Sequence, residues 1–95
     1  MLDLLLRGGL PHPVVNKPLV RLGRRIIPDF RWPRQRLVIE ADGAAWHDGK
    51  LAREDDAERQ AVLEACGERV IRVTWDQVVC RPDQLLARVR AAWPT

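Results

Sequence analysis

This 95-residue sequence predicts an α/β fold in which a mixed four-stranded sheet is flanked by helices. Short β-branched runs bounded by Gly and Pro are interspersed with segments of helical composition. One long helical segment lies between two strands, and a strand reached through such a crossover returns parallel to the one before it. The strands ahead of that helix are joined by a connection so short that they pair antiparallel. The order reads α-β-β-β-α-β-α in one domain spanning residues 1–95, because a chain of this length supports one core.

Leu2 to Arg7 reads as the last turns of a helix closed by Gly8-Gly9, a helix expected to be truncated at its N-terminus. Pro11 and Pro13 hold the next stretch extended. Val14 to Val20 is the first strand, placed at an edge or made irregular by Pro18, and Gly23 marks a turn among basic neighbours. Ile26 to Trp32 and Arg36 to Asp42 are the second and third strands, linked tightly by Pro33-Arg34-Gln35. Gly43 ends the third strand, and a polar loop with Trp46, His47 and Asp48 follows. Lys50 to Cys66 is rich in Ala, Glu, Arg and Leu and is stopped by Gly67, which predicts a helix. Arg69 to Trp75 is the fourth strand, with Asp76 expected to cap a short turn after it. Pro82 opens the last helix, whose Leu85, Leu86, Val89 and Trp93 share one face.

Apolar residues make up 46% of the chain and charged residues 31%, a globular balance that excludes a disordered chain. No apolar run is long enough to span a membrane, and Met1 to Leu6 does not read as a secretory signal. Fourteen of the sixteen basic residues are arginine and the net charge is +3. Arginine forks match phosphate oxygens in pairs, so this balance suits a phosphate-bearing partner. A GC-rich genome would produce the same arginines, so charge alone does not decide. Cys66 and Cys80 make neither a disulfide framework nor a CxxC pair, which fits a reducing cytoplasm.

The chemistry is concentrated in the hairpin of the second and third strands. With Arg34 and Gln35 as its central residues, paired positions sum to 69, so Phe30 faces Ile39, Trp32 faces Leu37 and Asp29 faces Glu40. Directly opposed side chains lie about 4.5–5.5 Å apart at Cβ, where like charges repel. Asp42 points to the same face as Glu40. Three carboxylates at one end of one face suit a bound Mg²⁺ or Mn²⁺. A bulge would break this register, and Arg31, on the same face as Asp29, would offer another way to neutralise the pair.

On the long helix, Arg59 lies in the apolar stripe of Val62, Leu63 and Cys66. A charge facing a core needs a partner. Two readings stand: an ion pair with Asp56 at the rim, or a helix face turned toward the carboxylates. His47 is a candidate general base, metal ligand or phosphate contact. Trp46 and Trp75 are able to stack on bases but are expected to pack against the core or its rim.

These residues form an ordered series: PDF at Pro28 to Phe30, WP at Trp32-Pro33, RLVIEADG at Arg36 to Gly43, then His47, Arg53-Glu54, Asp56, Arg59 and VIRVTW at Val70 to Trp75. The series resembles bacterial nuclease-like domains related to very-short-patch-repair endonucleases, within the PD-(D/E)XK superfamily, from about Leu10 to the C-terminus. The resemblance implies a restriction-endonuclease-like core. It also implies metal ligation by Asp29, Glu40 and the backbone carbonyl of Ala41, with His47, Asp56 and Arg59 at polar positions of the family. Two departures stand out. Asp42 occupies the place of the superfamily's usual lysine, and the N-terminal helix offers only Asp3 where a glutamate usually supports the metal.

The function expected is therefore Mg²⁺- or Mn²⁺-dependent hydrolysis of DNA phosphodiester bonds. Asp42 or His47 would orient or deprotonate the water, and Arg59, with Arg53, would stabilise the phosphate. The rival expectation is a catalytically impaired nuclease fold that only binds DNA, or a fragment of a larger protein.

Overall fold

The computed structural model describes residues 1–42 and 50–94. Ten elements run in order: α1 (Leu2–Arg7), β1 (Val14–Val15), β2 (Leu19–Arg21), β3 (Arg24–Ile26), β4 (Phe30–Trp32), β5 (Leu37–Asp42), α2 (Lys50–Ala65), β6 (Arg69–Thr74), α3 (Trp75–Cys80) and α4 (Pro82–Ala92). The main sheet has four strands in the order β1-β4-β5-β6 and is mixed as expected: β1, β4 and β5 pair antiparallel, β5 and β6 parallel.

Two of the expected strands are each divided. The stretch from Val14 to Val20 yields β1 and, beyond Pro18, β2, in different sheets. The stretch from Ile26 to Trp32 is interrupted by Ile27-Pro28-Asp29, so Ile26 ends β3 and Phe30 begins β4. The proline ring supplies no N–H, so neither sheet's ladder continues through it. β2 and β3 instead make a separate hairpin, Leu19↔Ile26, Val20↔Arg25 and Arg21↔Arg24. Its two-residue turn, Leu22-Gly23, has φ of 51° and 74°. Positive φ at both central positions is the type I′ arrangement, whose twist matches that of the flanking strands.

β4 and β5 pair as the arithmetic requires, Phe30↔Ile39 and Trp32↔Leu37. Alternation then sends neighbouring residues to opposite faces. Leu37 and Ile39 point to one side, where they pack with Leu5, Trp32, Ile71, Val73, Leu85, Leu86 and Val89 beneath α1 and α4. Trp93 closes this layer, edge-on to Trp32 at a ring separation of 5.2 Å. Val38 points the other way, into a smaller cluster with Leu63 of α2 and Ile26 of β3.

The crossover is ended by backbone geometry. At the end of α2, Glu68 N–H donates to the Leu63 carbonyl and Gly67 N–H to that of Glu64. Gly67 has φ +89°. This pair of bonds is the Schellman arrangement, which needs a left-handed residue and so favours glycine. The chain then enters β6 at once, with Arg69 N–H donating to the Arg36 carbonyl at 2.8 Å. After β6, Thr74 rather than Asp76 caps the next helix. Its side chain accepts from Gln77 N–H while the Gln77 side chain accepts from Thr74 N–H. Such a box satisfies two donors that an aspartate within the first turn would not reach.

Candidate functional site

Pro28 is fully buried. It delivers Asp29 to the end of β4, where the Asp29 carbonyl accepts from Asn16 N–H at 3.1 Å. The Asp29 carboxylate accepts from Ala41 N–H at 2.8 Å. That bond replaces the ladder bond the next strand residue would have made, and it fixes the carboxylate beside β5. One position earlier on β5, Glu40 lies on the face that carries Val38 and is 6% exposed. The two carboxylates expected from the register thus meet at one hairpin end.

Burial raises the Glu40 carboxyl above its ordinary value of 4.5; Arg59 opposes the rise and Asp29 adds to it. Arg59 Nη2 donates to Glu40 Oε1 at 2.8 Å. Of the two readings of Arg59, the helix face turned toward the carboxylates is the one this bond fits. The pairing with Asp56 concerns a side chain outside the described residues. Arg31 does not neutralise Asp29: its guanidinium pairs with the buried Glu68, just past α2. The reason is direction, since Glu68, held by the turn at Gly67, meets the guanidinium on β4.

Arg72 went unnoticed in the sequence, where it is one polar position in a β-branched strand. The parallel register sets Glu40 opposite Arg72. Arg72 Nε donates to Gln60 Oε1 at 2.7 Å, and Gln60 Nε2 donates to Glu64 Oε1 at 2.8 Å. Two arginines, one from α2 and one from β6, therefore flank the buried glutamate. The parallel register joins Glu40 to Arg72 across the whole crossover, so no local pattern marks Arg72.

Asp42 ends β5 opposite Thr74. Its side chain, those of Arg53 and Asp56, and the whole of Trp46 and His47 lie outside the described residues. Ala41 is exposed at the strand end. Trp75 is not packed as expected: it is 71% exposed at the start of α3. Among the described residues no group of three acidic, histidine or cysteine side chains converges. The described cluster is two carboxylates with two guanidiniums, able to attract a cation on one side and a phosphate on the other. No helix among the described residues is long and apolar enough to cross a membrane. Cys66 and Cys80 are free thiols.

No curated protein and no solved structure matches the chain. A family profile, REase_MTES_1575, matches residues 17–93, from just before β2 through the last helix and so across the whole cluster. With that match over most of its length, the chain belongs to REase_MTES_1575, a restriction-endonuclease-type family.

Proposed function

We propose that this domain is a metal-dependent endonuclease that hydrolyses DNA phosphodiester bonds, of the very-short-patch-repair-like kind within the PD-(D/E)XK superfamily. The observation that carries the reading is the meeting of Asp29 with a nearly buried Glu40 at one hairpin end, with Arg59 set against them. Family membership supports the nuclease chemistry, and the free thiols suit a cytoplasmic setting.

The donor set fits a hard divalent cation. Burial, and after it the neighbouring Asp29, raises the Glu40 carboxyl; a positive charge between the two carboxylates relieves both, and oxygen ligands suit Mg²⁺ or Mn²⁺. Asp29, Glu40 and the backbone carbonyl of Ala41 would hold it. Strand geometry favours that carbonyl. A residue's N–H and C=O point to the same side of a strand, and Ala41 N–H already points to Asp29. Continuing the register by two pairs brings Pro28 opposite Ala41, and proline has no N–H to offer. A bound cation supplies Lewis-acid activation of water and phosphate.

The remaining roles belong to the protein's own groups. Arg59 neutralises Glu40 and presents a guanidinium whose planar fork suits a phosphate oxygen pair. Arg72, anchored by Gln60, keeps a second positive charge beside Glu40. Asp42 or His47 orients or deprotonates the attacking water, and Arg53 joins Arg59 in stabilising the phosphate, with Asp56 at a further polar position of the family.

Plasmid nicking in Mg²⁺, Mn²⁺ and EDTA tests this. The parent should nick in either metal and not in EDTA. Asp29→Asn and Glu40→Gln should each remove most of the nicking, since both ligands serve one centre. Full activity in both variants would remove the site assignment. A parent that binds DNA without nicking it would favour the binding-module reading.

A further inference from the structure

The β2–β3 hairpin is a poor structural element in two respects, and both are explained by one partner. Leu22 occupies the first central position of a type I′ turn at φ 51°. That position favours Asn, Asp or Gly, and a leucine there carries the steric cost of the left-handed region. The side chain gains no burial in return, since it is 73% exposed. Neither the turn nor the core calls for a leucine at this tip.

The hairpin's two faces differ. Leu19 and Ile26 face inward onto the cluster of Val38 and Leu63. Arg24 also faces the body, bonded to Asp55 and Glu58 of α2. On the outer face Val20, 62% exposed, stands beside the exposed Arg25. Lys17 is exposed at the hairpin's base, whereas Arg21, opposite Arg24, shares the inner face and is half-buried, its Nη1 donating to the Val20 carbonyl next to the tip. From Asn16 to Ile27 the chain has four basic residues, Lys17, Arg21, Arg24 and Arg25, and no acidic one. A protein interface core is depleted of charge. A lone apolar tip among cations instead fits a polyanion with an apolar interior, such as stacked base pairs between phosphate rails.

We propose that this hairpin is a DNA-contacting wing: Leu22 enters a groove of the duplex as an apolar wedge, and Lys17 and Arg25 contact the adjoining phosphates. The inference rests on the nuclease reading and names how that site receives its substrate. Only Ile27 and Pro28 separate β3 from Asp29, and the hairpin lies over the sheet face that carries Glu40. A duplex held by the wing is therefore held next to the carboxylates.

The test is Leu22→Asn, which suits the turn and lacks the wedge. Thermal melting of the full chain, anisotropy with a short fluorescent duplex in EDTA, and plasmid nicking in Mg²⁺ are measured on the same samples. The melting temperature should rise while duplex affinity falls roughly tenfold, the loss typical of an interface anchor. Arg25→Gln should lower the slope of log affinity against log salt by about one phosphate contact. A Leu22→Asn protein that binds as the parent does, in a parent that nicks, overturns the wing and leaves the nuclease reading standing. Loss of stability together with loss of binding makes Leu22 a structural residue and also overturns it. So does self-association of the parent that Leu22→Asn abolishes without change in duplex affinity, which points to a second copy of the chain. A parent that neither binds nor nicks DNA fails the nuclease reading itself, and the wing with it.

Discussion

The two faces of the main sheet are built on different terms. Beneath α1 and α4, nine buried apolar side chains form one continuous layer. Beneath α2, among the described residues, the buried apolar cluster is Ile26, Val38 and Leu63, and the same face continues into Glu40, Arg59 and Arg72. The first face makes the fold; the second gives up packing to hold charge. Buried charge weakens a domain unless it is paired, and here the pairing itself is the apparatus proposed for catalysis.

The sharpest way to break this contrast is to damage each face and compare. Leu85→Ala, at a position 1% exposed in the packed layer, should cost about 2–5 kcal/mol of stability through lost burial and a residual cavity. Once folded, at low temperature, that variant should retain its nicking rate. Urea unfolding and nicking on the same samples measure both. A Leu85→Ala enzyme that stays stable but inactive would mean the faces are not separate in function.

Arg59→Met does the reverse. The loss of a positioned guanidinium typically lowers a rate by about 10²–10³. Glu40 then lacks the charge that holds its carboxyl down, so the variant should also be less stable at neutral pH than in acid. Arg59→Lys should restore only part of the rate, because the fork is gone. A fully active Arg59→Met protein would remove this residue from the mechanism.

The smallest effect expected is one of stability against pH, in EDTA. The folded Glu40 carboxyl titrates above its ordinary 4.5, because burial outweighs the Arg59 pairing. Stability linked to this group is therefore complete below 4.5 and is lost as pH rises through the raised value. Glu40→Gln stays neutral throughout. Its melting temperature should match the parent's in acid and exceed it increasingly toward neutrality. If the parent instead gains on the variant as pH rises, the Arg59 ion pair outweighs desolvation and the charged sheet face favours the ionised carboxylate.

The same contrast explains what the sequence made legible. The packed face follows from periodicity, so the strand register, the stripe of α4 and the stop at Gly67 were all readable. Asp29 and Glu40 were readable too, because they belong to one hairpin whose arithmetic is local. The β2–β3 hairpin was hidden because Leu-Gly is a weak sign of a type I′ turn, and because Val14 to Val20 reads as continuous until Pro18 is given its full effect. Arg72 and the Arg31–Glu68 pair were hidden for another reason: each depends on where the crossover sets β6 or the end of α2 against the hairpin. That placement is a property of the assembled sheet, not of any segment.

The bond from Ala41 N–H to Asp29 spans 12 positions within one turn-linked ribbon, whereas that from Arg59 to Glu40 spans 19 and joins a strand to a helix. The Asp29 carboxylate is thus tied within the hairpin alone, whereas the Glu40 carboxylate is tied to α2 as well. The Arg59 guanidinium travels with the helix. Any shift of α2 on its thin apolar bed would therefore be felt at Glu40 before it is felt at Asp29, so one of the two carboxylates reports on the helix and the other on the hairpin.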